Sequence, residues 1–76
     1  MTTEQFESIL REFKYREPFQ PFVIETDDQG MVLIDDPEAI AFAGGAGGFI
    51  GAEEIYSFDA AHVRQIRPAS PQEAVS

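Results

Sequence analysis

Residues 22–34, Phe22-Val23-Ile24-Glu25-Thr26-Asp27-Asp28-Gln29-Gly30-Met31-Val32-Leu33-Ile34, decide the fold. In the first five, Phe22, Ile24 and Thr26 occupy alternate positions and share one face, the period of a half-buried strand. Asp27-Asp28-Gln29-Gly30 reads as a turn, with Gly30 free to take positive φ. Met31-Val32-Leu33-Ile34 then resumes as a strand, and the whole reads as a hairpin. The second strand is apolar on both faces, so both need cover. A barrel interior covers one; an N-terminal helix or a second subunit covers the other.

Upstream, residues 2–16 predict an amphipathic helix. Phe6, Ile9, Leu10 and Phe13 follow the i, i+3, i+4, i+7 spacing of one helical face. Thr2 with Gln5 fits a capping box. Glu7–Arg11 and Glu12–Arg16 are i,i+4 pairs in the favourable order. Pro18 forces the helix to stop before it. The helix is expected as a lid on one open side of a small sheet.

Downstream, Asp36-Pro37-Glu38 breaks the pattern, and Ala39–Ala43 predicts a third strand with Ile40 and Phe42 on one face. Gly44–Gly48 reads as a loose loop or a sharp bend. Between Phe49 and Phe58 the large residues fall on both parities. Either Gly51 marks a bulge, or Gly51–Glu54 is a turn between two short strands, the favoured choice. Asp59 is placed to cap a tight turn through His62, and Val63–Arg67 is a short closing strand. Residues 1–67 thus form one domain, and 68–76, rich in Pro, Ser, Ala and Gln, is expected as a disordered tail. The expected core is Phe6, Ile9, Leu10, Phe13, Phe22, Ile24, Val32, Ile34, Ile40, Phe42, Ile50, Ile55, Phe58, Val63 and Ile66.

Size and charge bound the function. A chain of 76 residues buries only roughly 60% of its unfolded surface. Little volume is left for a small-molecule pocket of about 300–1,000 Å³. The net charge is −9, from 14 acids against 5 bases, and there is no cysteine. No Lys or Arg lies between Arg16 and Arg64, whereas that stretch carries Glu17, Glu25, Asp27, Asp28, Asp35, Asp36, Glu38, Glu53, Glu54 and Asp59. Such a surface repels phosphate, which argues against nucleic acid and anionic membranes as partners. No leader or apolar span is visible, so a cytoplasmic location is the default expectation.

No residue pattern carries catalysis. The glycine cluster lacks the third glycine of a dinucleotide loop and the Lys-Ser/Thr of a P-loop. In the pairs Asp27-Asp28, Asp35-Asp36 and Glu53-Glu54, adjacent carboxylates in a strand point to opposite faces, so no pair is expected to converge, and the alternate spacing of a calcium loop is absent. Ser57, Asp59 and His62 can be written as a triad, but one short turn holds all three. Phe19 and Phe22 could stack on bases, yet their acidic surroundings favour packing. No metal, cofactor or catalytic residue is therefore expected.

The order Pro18-Phe19-Gln20-Pro21-Phe22-Val23-Ile24, an Asp/Gly turn, Asp36-Pro37-Glu38 and His62-Val63-Arg64-Gln65-Ile66 resembles a group of small bacterial proteins with a PFxPFxI…DG…HPE…HIxxI pattern. This chain departs from that pattern at Asp36, usually His there, and at the Asp28-Gln29-Gly30 turn. That group implies no activity. The helix-plus-strand order is also similar to Sm-like and SH3-like small barrels. The resemblance implies an α+β, mainly β fold: an N-terminal helix followed by a five-stranded antiparallel barrel. Sm-like proteins form rings that bind RNA, which the charge disfavours here. The expected function is a non-enzymatic acidic module that binds a basic protein surface through Asp27, Asp28, Asp35, Asp36 and Glu38. The alternative is a homo-oligomeric structural protein.

Overall fold

A computed structural model describes residues 1–74. Helix α1 (Thr3–Lys14) leads into six strands: β1 (Phe22–Thr26), β2 (Gly30–Ile34), β3 (Ile40–Ala43), β4 (Ala46–Ile50), β5 (Ile55–Asp59) and β6 (Val63–Pro68). A single helical turn, α2 (Pro71–Ala74), follows. All strand pairs are antiparallel, in two three-stranded sheets ordered β2-β1-β6 and β3-β4-β5. The fold is therefore α+β and mainly β. It has six strands rather than five, because the Gly51–Glu54 turn divides the stretch through Phe58 into two strands, β4 and β5.

The helix starts where the capping box places it. Thr2 Oγ1 accepts the Gln5 N–H at 3.1 Å, and Gln5 Oε1 accepts the Thr2 N–H at 3.1 Å. It ends two residues earlier than expected, with Tyr15 as C-cap donating to the Arg11 carbonyl. Phe6, Leu10 and Phe13 are buried and Ile9 half-buried. Phe13 lies 5.0 Å from Phe22 of β1, and Phe6 lies edge-on at 6.1 Å from Phe58 of β5. The helix thus packs on both sheets at once. Polar bonds hold it to the second sheet: Lys14 Nζ donates to the Ile40 carbonyl (2.6 Å), and Glu7 Oε2 accepts the Gly45 N–H (3.0 Å).

The hairpin at 22–34 forms in the register Phe22↔Ile34 to Thr26↔Gly30. Gly30 takes φ 78°, and Thr26 Oγ1 accepts the Gln29 N–H across the turn. Val32 and Ile34 enter the core, but α1 does not cover the opposite face: Met31 is 63% exposed and Leu33 half-buried. Val23 lies outside the main core cluster, flanked in register by Leu33 and Arg67, and is nonetheless buried. The C-terminal segment returns there. Ala69 N–H donates to the Pro21 carbonyl, and Arg67 binds both Glu25 and Glu73. Over its described part, 68–74, the expected disordered tail instead closes β6 and forms α2; Val75 and Ser76 lie outside the described residues.

The glycine cluster splits. Gly44 and Gly45, with φ 61° and 84°, make a two-residue hairpin turn between β3 and β4, the geometry that needs positive φ at both central residues. Ala46-Gly47-Gly48 belongs to β4, not to a loop. A side chain at Gly47 would meet the Phe58 ring at 2.7 Å and the Ala41 carbonyl at 3.0 Å. Gly51–Glu54 is the turn between β4 and β5, closed by Gly51 N–H to the Glu54 carbonyl at 2.9 Å. It sets Ile50 opposite Ile55, and both point outward, 65% and 74% exposed, contrary to their expected place in the core. Phe49, on the other parity, is buried in their stead.

Leu10→Ala is expected to cost about 2–5 kcal/mol in urea unfolding, as for other fully buried leucines. Gly47→Ala should lower the unfolding midpoint clearly. Gly48→Ala, whose added carbon would meet only the Tyr56 carbonyl at 3.4 Å, should leave it unchanged or raise it, since alanine restricts the unfolded chain.

Candidate functional site

The five acids expected to bind a partner do not form one patch. Asp27 and Asp28 sit in the β1–β2 turn; Asp35, Asp36 and Glu38 follow β2 at the other end of the hairpin. A strand of five residues separates the groups by roughly 16 Å at about 3.3 Å per residue. Asp36 has a local task, as its Oδ1 accepts the Glu38 N–H at 2.9 Å.

Asp35 instead joins a residue the sequence reading left aside. A groove of about 400 Å³ runs between β2 and the β4–β5 hairpin, lined by Met31, Val32, Leu33 and Asp35 on one side and by Phe49, Gly51, Ala52, Glu53 and Tyr56 on the other. Phe49 and Tyr56 face each other across the ladder and stack at 6.3 Å. Met31, Leu33, Phe49 and Tyr56 give the lining its apolar side chains, polar and apolar surface line it in near-equal measure, and its two charged residues, Asp35 and Glu53, are both acidic. The doubly apolar β2 was the sequence signal for this groove. Glu53 carried none, because its closeness to Asp35 depends on how the two sheets meet.

Asp27 and Asp28 converge on His62. Both lie in a turn, so the strand argument that sends adjacent carboxylates apart does not hold for them. His62 Nδ1 is 2.9 Å from Asp27 Oδ1 and 4.0 Å from Asp28 Oδ2. A carboxylate only accepts, so Nδ1 carries the proton in the closer bond. The two turns are also tied by the Asp27 N–H donating to the His62 carbonyl (3.0 Å). The hydrogen bond to Asp27, then the negative charge of Asp27, Asp59 and Asp28, raises the His62 pKa above its ordinary value. Asp59 caps the turn, with Oδ1 accepting the His62 backbone N–H at 3.0 Å. It does not orient the imidazole, as a triad would require. Ser57 lines the same shallow hollow, but its carbonyl accepts the Gln29 side-chain amide. Asp27, Asp28 and His62 place ligand atoms within 4.8 Å of one another, and all three are exposed. Three exposed donors are fewer than the closed four-ligand set of a structural zinc site, and the contacts the group makes are those of an ion-pair cluster.

Among the described residues, the bases do not gather into a cationic cleft. A hollow of about 620 Å³ is lined by Lys14 and Arg16 but equally by Glu17 and Glu38, with Tyr15, Phe19 and Pro37. Lys14 is engaged by the Ile40 carbonyl; Arg16 lies 3.6 Å from Glu12 and over the Phe13 ring. Arg67 grips Glu73 through two nitrogens at 2.8 Å each and Glu25 through Nε at 2.5 Å. These bonds hold Glu25 below the usual carboxylate range, and hold Glu73 down to about 2. No helix among the described residues is long and apolar enough to cross a membrane. Compared with protein-family models, with curated proteins and with solved structures, the chain gives no match.

A raised histidine pKa stabilises the fold fully below about pH 6.5, the unfolded value, and the contribution fades as pH climbs through the higher folded value. His62→Gln should therefore lower the melting temperature near about pH 5.5 and have little effect near about pH 9. In Asp27→Asn, the His62 pKa read by NMR should fall back toward about 6.5.

Proposed function

We propose that this chain is a non-enzymatic interaction module whose acidic surface binds a basic surface on a partner protein. The observation that carries the reading is the groove between β2 and the β4–β5 hairpin, which sets apolar side chains such as Met31, Leu33 and Tyr56 beside polar surface and is charged only by Asp35 and Glu53. Asp27, Asp28, Asp36 and Glu38 extend the negative field to either end of the hairpin. Such a field speeds encounter with a cationic partner and rejects anionic ones. The strand order is read as an Sm-like or SH3-like small barrel in which β2 and β3 are halves of one strand broken at Asp35–Ala39. In support, β6 returns to pair with β1, and β3, β4 and β5 follow one another. An RNA-binding ring needs a basic surface, and here Lys14, Arg16 and Arg67 are engaged within the chain.

Fluorescence anisotropy with a lysine-rich peptide and with single-stranded RNA tests this. At about 50 mM salt the peptide should bind, and binding should weaken several-fold by about 300 mM, as screening shortens the field. Replacing Asp27, Asp28, Asp35 and Glu38 by their amides should abolish it, and RNA should show no affinity. Peptide binding indifferent to salt, or RNA binding with a steep salt slope, would reverse the reading.

A further inference from the structure

We infer that the open edge of β2 takes an extended segment of alternating basic and apolar residues as an added strand. This rests on the basic-partner reading above and specifies where and how such a partner is held.

The two sheets leave four edge strands among the described residues: β2, β6, β3 and β5. Exposed edges invite pairing with another chain unless charge, proline or a covering element blunts them. β6 carries Arg64, Arg67 and Pro68, and β5 ends in Asp59 beside Glu54. β2 (Gly30-Met31-Val32-Leu33-Ile34) and β3 (Ile40-Ala41-Phe42-Ala43) carry no charge. The β3 edge is covered. Ile50 N–H bonds the Ala39 carbonyl, so in an antiparallel ladder the Ile40 carbonyl points away from β4, and Lys14 Nζ occupies it. β2 has no such cover. Its outer edge borders the groove, with Leu33 and Met31 on one wall and Tyr56 on the other.

The groove's chemistry selects the occupant. Main-chain bonds to β2 supply affinity for any extended backbone, and side-chain pockets supply selectivity. A strand presents alternate residues to opposite faces. Apolar residues on one face can meet Met31, Leu33 and Tyr56, and residues on the other can meet Asp35 and Glu53, which call for Lys or Arg. An acidic segment would leave like charges together, and a helix would leave the β2 backbone unpaired.

The probe is a short acetylated peptide of alternating lysine and valine, with a second version N-methylated at alternate amides. The second keeps charge and side chains but loses the amide donors on one edge. Calorimetry at low salt should show the first binding and the second weaker by about tenfold or more. Amide NMR shifts should centre on residues 31–35 and 49–56. The exposed Asp35→Asn/Glu53→Gln pair should weaken binding several-fold, and Asp27→Asn/Asp28→Asn, which lie outside the groove, clearly less. Equal binding of both peptides, or shifts centred on residues 27, 28 and 62, would overturn the added strand while leaving the basic-partner reading intact. No binding of either peptide would defeat both. Light scattering that shows a dimer with protected β2 amides would overturn the inference by making a second copy the occupant.

Discussion

The apolar face of α1 is what makes the two small sheets one molecule. Each sheet has only three short strands, and packing against a helix adds to the stability that so small a sheet has by itself. Phe13 reaches Phe22 in the first sheet and Phe6 reaches Phe58 in the second, so one helix supplies the missing layer to both. The glycines of β4 serve the same contact. Phe58 comes close to Gly47 because no side chain stands there, and the positive φ at Gly45 brings its N–H onto Glu7 of the helix. Committing α1 to the core has a cost elsewhere. It cannot also cover the outer face of β2, and Met31 and Leu33 are left beside the groove.

Charge is arranged by exclusion rather than by concentration. Arg11, Lys14, Arg16 and Arg67 each have a partner within the chain, whereas Asp35 and Glu53 line the groove with no basic residue in its lining. The outward field is therefore that of unmatched carboxylates. The His62 cluster is the exception, a small site where a titrating cation is held by acids from a neighbouring turn.

Local patterns were readable wherever a residue's neighbours in the chain decide its conformation. The capping box at Thr2, the Asp/Gly turn at 27–30, the Gly51–Glu54 turn and the Asp59 cap each depend on a few adjacent residues, and each stands in the structure as expected. Parity within β3 was legible for the same reason. What failed depends on pairing. Ile50 and Ile55 look like core by composition, but the turn between them makes them cross-strand partners, and the burial of Phe49 turns that pair outward. The Gly44–Gly48 cluster looked uniform, yet only two of its residues adopt positive φ. The site was half legible: Asp35 was identified, but Glu53 was not, because two sheets must meet before those residues become neighbours.

Arg67 serves two acids from different elements with one guanidinium, bidentate to Glu73 of α2 and single to Glu25 of β1. This makes tolerance to substitution lopsided. Losing either acid leaves the arginine with the other. Losing the arginine strands two carboxylates near one another on the face above Val23, where each repels the other. Sequence drift through this corner must change the acids before the base, and a charge swap there requires three substitutions rather than two.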